Sequence, residues 1–124
     1  MTFARWTFGM AGVLGLIVLM PLYFLEDFVG NRFPPPVTHP EYYYGFVGAA
    51  GAMQLVYLLI ASNPRRYRPV MPIAVVAKLT FGIAALVLFM QGRLAQPTFL
   101  AAMGDNVFAV LFAVAYIRTR RASQ

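Results

Sequence analysis

The sequence predicts an all-α polytopic membrane protein, a bundle of four transmembrane helices, and three observations carry that expectation. Sixty per cent of its 124 residues are hydrophobic and 11% are charged, too little charge to cover a water-soluble domain of this length. Four apolar stretches, about 7–25, 43–61, 71–91 and 97–117, each approach or exceed the ~20 residues with which a helix crosses about 30 Å of hydrocarbon. The connections between them are short and polar, and the roughly ten-residue alternating segments of a membrane β-barrel do not occur. Lipid offers backbone groups no hydrogen-bond partner, so consecutive spans of this kind must be helices. A mean hydropathy of +0.68 agrees, and nothing outside the spans is long enough for a second domain, so residues 1–124 are expected to form one unit.

The first span follows Arg5 as a signal peptide would, but Glu26-Asp27-Phe28 stands after Leu25 where a small-x-small cleavage pattern would be needed. It is expected to be a retained helix. Pro21 lies inside it and predicts a kink, or a neighbour that satisfies the freed carbonyl, with a tilted continuation towards Gly30. Between Arg32 and Glu41, Pro34-Pro35-Pro36 reads as a stiff extended segment. Thr38-His39-Pro40-Glu41 then matches the Thr-x-x-Glu capping box that opens a helix. Ser62-Asn63-Pro64 ends the second span, and Pro69 and Pro72 bracket the start of the third. Gly92 suits a helix stop, and Pro97 suits the first turn of the fourth span.

The net charge of +6 does not indicate nucleic acid, because the basic residues sit in short clusters beside apolar runs rather than along one groove-sized face. They read as orienting charges. Arg5, the cluster Arg65, Arg66, Arg68 and the tail Arg118, Arg120, Arg121 fall on one side, against Arg32 and Arg93 on the other. The positive-inside rule places the former, with both termini, on the cytoplasmic side of a multi-pass protein. Tyr23, Phe28, Phe33, Tyr42-Tyr43-Tyr44, Tyr67 and Tyr116 fall near the predicted interfaces, where amphipathic rings settle, and indicate no cofactor.

Lys78 and Asp105 are the formally charged residues well inside the spans, where an unpaired charge costs several kcal/mol. Lys78 enters about 10 Å from one face and Asp105 enters from the other, leaving an axial gap of roughly 8 Å that the lysine stem and a helix tilt can close. One reading is a structural ion pair clasping the third and fourth spans, with Asn106 or Gln54 completing the shell. The other is a substrate or proton-relay site. Gly9, Gly12 and Gly15 in the first span and Gly45, Gly48 and Gly51 in the second share a Gly-x-x-Gly-x-x-Gly spacing. That spacing lays small residues over a broad face and suits helix packing, or else leaves room for a flat or lipid-like ligand.

With no cysteine, thiolate catalysis, iron–sulfur clusters and Cys-based zinc sites are excluded. The single His39 with Glu41, Glu26 and Asp27 matches no metal-ligand spacing, so capping and solvated loop charge are expected and no metal. No histidine lies in a span to ligate haem, nucleophile-elbow and nucleotide-binding patterns are absent, and no cofactor is expected. Arg65, Arg66 and Arg68 form a juxtamembrane cluster suited to anionic headgroups, or to an acidic cytoplasmic protein.

Four features together resemble the small bacterial four-helix membrane proteins grouped as DoxX-like. They are the outer Pro-rich stretch after the first helix, Asn63-Pro64-Arg65-Arg66-Tyr67-Arg68-Pro69, Ala77-Lys78-Leu79, and Gly104-Asp105-Asn106-Val107-Phe108-Ala109. The resemblance implies a four-helix bundle in the bacterial cytoplasmic (inner) membrane. The functional expectation is a non-enzymatic bundle that handles a small molecule or lipid, or an accessory subunit of a membrane complex. Its partners would be membrane lipids and a membrane protein or further copies of itself. A proton-coupled small transporter using Asp105 is the alternative. A membrane enzyme working at the outer interface through Glu26, Asp27, His39 and Glu41 is a third reading.

Overall fold

A computed structural model describes residues 2–32 and 38–122, so Phe33 and the Pro34–Pro36 segment lie outside the described residues. The chain runs as α1 (Thr2–Leu19), a 3₁₀ turn (Met20–Phe24), α2 (Glu26–Arg32), α3 (Pro40–Ser62), a 3₁₀ turn (Arg68–Val70), α4 (Met71–Met90) and α5 (Gln96–Ala122). Four segments are long and apolar enough to cross a membrane: Thr2–Phe24, Pro40–Ser62, Arg68–Met90 and Gln96–Thr119. Among the described residues there is no strand, and the fold is an all-α four-helix bundle.

Local chemistry sets the element ends. Pro21 lacks the N–H that would continue α1, and the chain tightens into the 3₁₀ turn before α2 resumes at Glu26. Within the 3₁₀ turn the Leu22 carbonyl accepts from the Tyr43 hydroxyl of α3 at 2.6 Å, which ties this turn to the neighbouring helix. The capping box expected from Thr38 does not form: α3 begins at Pro40 with His39 as its N-cap and no side-chain cap bond. With His39 as N-cap, Glu41 falls at the second helical position rather than the third that a reciprocal cap requires, and it pairs with His39 instead, Nδ1 to Oε1 3.2 Å. Gly92 adopts φ +72 at the end of α4. Around it Gly92 N–H donates to the Phe89 carbonyl and Arg93 N–H to that of Leu88, a Schellman stop in which glycine carries the left-handed residue.

The bundle is two antiparallel hairpins. In the first, α1 and α3 approach closely enough that a Cβ at Gly12 would overlap Leu58 and the Gln54 carbonyl, and beyond α1 the tip of Met20 lies against Gly51. In the second, α4 and α5 pack along their length, with Phe89 stacked on Phe99 at 4.0 Å. The hairpins meet where Phe8 of α1 stacks on Phe112 of α5 at 4.1 Å, with Tyr57 of α3 tilted onto Phe112 at 5.0 Å. This topology gathers Arg5, Arg65, Arg66, Arg68 and Arg118 at one end of the bundle, and Glu26, Asp27, Glu41 and Arg93 at the other.

The outside is apolar. Ile17, Val18, Ile73, Val76, Met90, Val107, Val110 and Ile117 each expose more than half of their surface. Burying them against one another would need a larger core than four helices make, whereas hydrocarbon solvates them directly. The fold is thus that of a multi-pass membrane protein.

Candidate functional site

Lys78 sits on α4 with its side chain 11% exposed, and its Nζ donates to Asp105 Oδ1 of α5 at 3.0 Å. Asp105 is more open, with 30% of its side chain exposed. The contact of Asn106 with Gly82 puts Asp105 roughly one helical turn, about 5.4 Å, beyond Lys78, and the lysine stem bridges that offset. Two rings complete the surroundings of the ammonium: Tyr57 lies 5.3 Å and Phe108 5.6 Å from Nζ. A desolvated ammonium is here compensated by one carboxylate and two π faces, and the pair joins α4 to α5 while Tyr57 touches it from α3.

Tyr57 and Phe108 were not among the candidate residues. A signal for each was present: Tyr57 is the one tyrosine remote from the predicted interfaces, and Phe108 follows Asp105 by three positions, on the same helix face.

Gln54 and Asn106 do not complete the shell expected of them. Gln54 Nε2 donates back to the Ala50 carbonyl at 2.8 Å, and Asn106 Nδ2 to Met103 Sδ at 3.6 Å, so each amide nitrogen finds an acceptor within its own helix. Their carbonyl oxygens, Gln54 Oε1 and Asn106 Oδ1, are buried without an N–H or O–H donor. Each lies instead against a glycine of the facing helix, Gln54 on Gly15 and Asn106 on Gly82, where a Cβ would overlap the oxygen. This is the geometry of a Cα–H···O contact, weak individually but repeated in both hairpins. The two amides clasp helix pairs rather than serve the ion pair.

The six glycines divide. Gly12, Gly15 and Gly51 face atoms that a Cβ would strike, and Gly48 meets only the Tyr23 hydroxyl, 3.1 Å from an added Cβ. Gly9 has only the Ala61 Cβ near, at 3.8 Å, and Gly45 meets nothing within 4 Å, which corrects the packing role expected of Gly45.

The basic cluster also divides. Arg65 and Arg66 stand exposed, the latter with its guanidinium 5.5 Å from the Tyr67 ring. Arg68 turns inward: its Nε donates to the Tyr116 carbonyl at 3.2 Å and its guanidinium lies 3.6 Å over the Tyr116 ring. It braces the start of α4 against α5. Glu26, Asp27, His39 and Glu41 share the opposite end, where His39 and Glu41 pair, and among the described residues no group of three His, Asp or Glu is placed to hold a metal ion.

Taken together, these features define an α-helical membrane bundle in which a largely buried Lys78 pairs with Asp105 between α4 and α5. Comparison with protein-family models, with characterised proteins and with solved structures gave no match.

Proposed function

We propose that the protein is a non-enzymatic bundle of the bacterial cytoplasmic membrane, of the DoxX-like kind. It handles lipid or a small apolar molecule, or serves as an accessory subunit of a membrane complex, with both termini in the cytoplasm. The observation that carries this reading is the Lys78–Asp105 pair at 3.0 Å. Both charges are committed to each other, and Lys78 is further held between Tyr57 and Phe108, so the centre serves as a clasp rather than a reaction site. The gathering of arginines at one end supports the orientation, since Lys and Arg are retained on the cytoplasmic side.

One observation favours a second reading. Asp105 is nearly three times as exposed as Lys78, and the described contacts engage only its Oδ1, which leaves Oδ2 open to a proton or a ligand donor. In that reading the protein is a small proton-coupled transporter with Asp105 titrating against Lys78.

Proteoliposomes separate the two. A clasp leaves proton permeability in response to an imposed gradient equal for wild type, Asp105→Asn and protein-free vesicles. A wild-type proton flux that Asp105→Asn abolishes while melting normally would replace the clasp by the transporter.

A further inference from the structure

The outer face between α1 and α3 holds a groove of about 550 Å³, lined almost wholly by carbon. Its mouth is formed by Arg5 and Trp6, and its walls by Gly9, Val13, Leu58 and Ala61. Its lining starts with Arg5 at the arginine-rich end and follows α1 for nine residues to Leu14, about 14 Å. That is most of the ~15 Å of one leaflet's hydrocarbon. Trp6, 67% exposed beside Arg5, marks the headgroup level from which the groove descends.

We infer that this groove is a binding site for one anionic glycerophospholipid, with an acyl chain against Gly9 and Val13 and the phosphate on Arg5. Three observations support it. Arg5 is anchored by its Nε, which donates to the Ala61 carbonyl at 3.2 Å, so the fork of the guanidinium stays at the mouth. No other hydrogen bond or ion pair of Arg5 occurs among the described residues, and its terminal nitrogens remain available for a bidentate phosphate contact. Gly9 keeps the groove deep: a Cβ there would meet only Ala61, at 3.8 Å, so its smallness is not required by helix packing.

Charge decides between a lipid and a second copy of the chain. Copies in one membrane share an orientation, so a neighbour presents its own arginines at this level. Of the four acidic residues, Glu26, Asp27 and Glu41 stand at the opposite end and Asp105 is paired with Lys78. No acidic side chain of a neighbouring copy stands at the level of Arg5 among the described residues, whereas the leaflet supplies anions at that depth. The site involves neither Lys78 nor Asp105. It deepens the lipid-handling reading and rests on it only through the membrane location.

The test is native mass spectrometry of the delipidated full chain. It is titrated with phosphatidylglycerol or with phosphatidylcholine of identical acyl chains, for wild type, Arg5→Gln, Gly9→Leu and Arg66→Gln. The expected result is one lipid held with about a tenfold preference for the anionic headgroup. Arg5→Gln removes the preference, Gly9→Leu lowers retention of both lipids about equally, and Arg66→Gln changes neither. If Arg5→Gln does not fold, Gly9→Leu alone decides: unchanged retention overturns the site. It is overturned as well by equal wild-type binding of both lipids, or by loss of preference in Arg66→Gln with Arg5→Gln unaffected. A dimer crosslinked through cysteines at Val13 would show that the groove seats a second copy instead.

Discussion

Separating Lys78 from Asp105 tests the centre of the structure directly. Replacing Asp105 by Leu leaves an ammonium whose side chain is 11% exposed, and breaking a buried pair in this way costs about 3–5 kcal/mol. The rings of Tyr57 and Phe108, at 5.3 and 5.6 Å, flank the ammonium in wild type and variant alike, so they do not offset this loss. Lys78→Met leaves Asp105, which is 30% exposed and can take up a proton, and the loss should be smaller, about 1–3 kcal/mol. In the double variant Met faces Leu across the α4–α5 seam with no charge to desolvate, and stability should return to within about 1 kcal/mol of wild type. The coupling energy then approaches the sum of the two single losses, several kcal/mol. Reversible unfolding of the four proteins by a denaturing detergent, in one mixed-micelle composition, measures each term. Strict additivity, with the double variant as weak as the two losses combined, would show that the two charges do not stabilise each other and that the clasp is no clasp.

Three further outcomes follow from the same contacts. Gly15→Ala and Gly82→Ala drive a methyl into the amide oxygens of Gln54 and Asn106 and should each lower stability by about 1–3 kcal/mol, while Gly45→Ala, with open space around it, should be neutral or better; equal melting of all three would remove the amide–glycine clasps. Gly92→Ala forces a left-handed residue to carry a Cβ and should cost about 1–2 kcal/mol in the same melts, and no change would mean that the α4 stop is not held at φ +72. In intact cells an impermeant thiol reagent should label a cysteine at Thr38 and spare one at Ser62; the opposite pattern inverts the topology.

The four spans were legible because hydropathy is a one-dimensional property that lipid reads directly, and the estimated limits fall within about five residues of the observed helices. The largest shift is at the start of α1, which begins at Thr2 rather than residue 7, since Arg5 and Trp6 depress local hydropathy while remaining helical at the interface. Azimuth was less legible. The sequence put Gln54 and Asn106 at the depth of the ion pair, but depth does not say which neighbour a side chain faces, and both amides turn to glycines across their own hairpin. The regular spacing of glycines likewise hid that Gly45 lies off the contact line while Gly12 and Gly51 lie on it. The misassigned cap at Thr38 has a local cause. A motif match counts residues, whereas Pro40 fixed the first helical turn one residue later than the box requires.

How the packing is distributed bears on what the centre can do. The contiguous core, with Phe8, Tyr57, Ile60, Met71 and Phe112, lies in the half of the bundle nearest the arginines. Towards the other end the helices still close pairwise within each hairpin, but α3 and α4 touch sparsely, with Phe46 and Phe81 at 5.7 Å among their contacts. Since dispersion and packing, rather than exclusion of water, hold helices together in lipid, the seam with the fewest contacts is the one that opens at least cost. That seam ends on Tyr57 and Lys78. An opening of the bundle would therefore uncover the ion pair from the side of Glu26 and Glu41 while the aromatic stack of Phe8 and Phe112 kept the arginine end shut. The two readings of Asp105 thus differ in a single physical quantity, the free energy of parting α3 from α4. A clasp needs it large, and a transporter needs it within reach of the binding energy of its ligand.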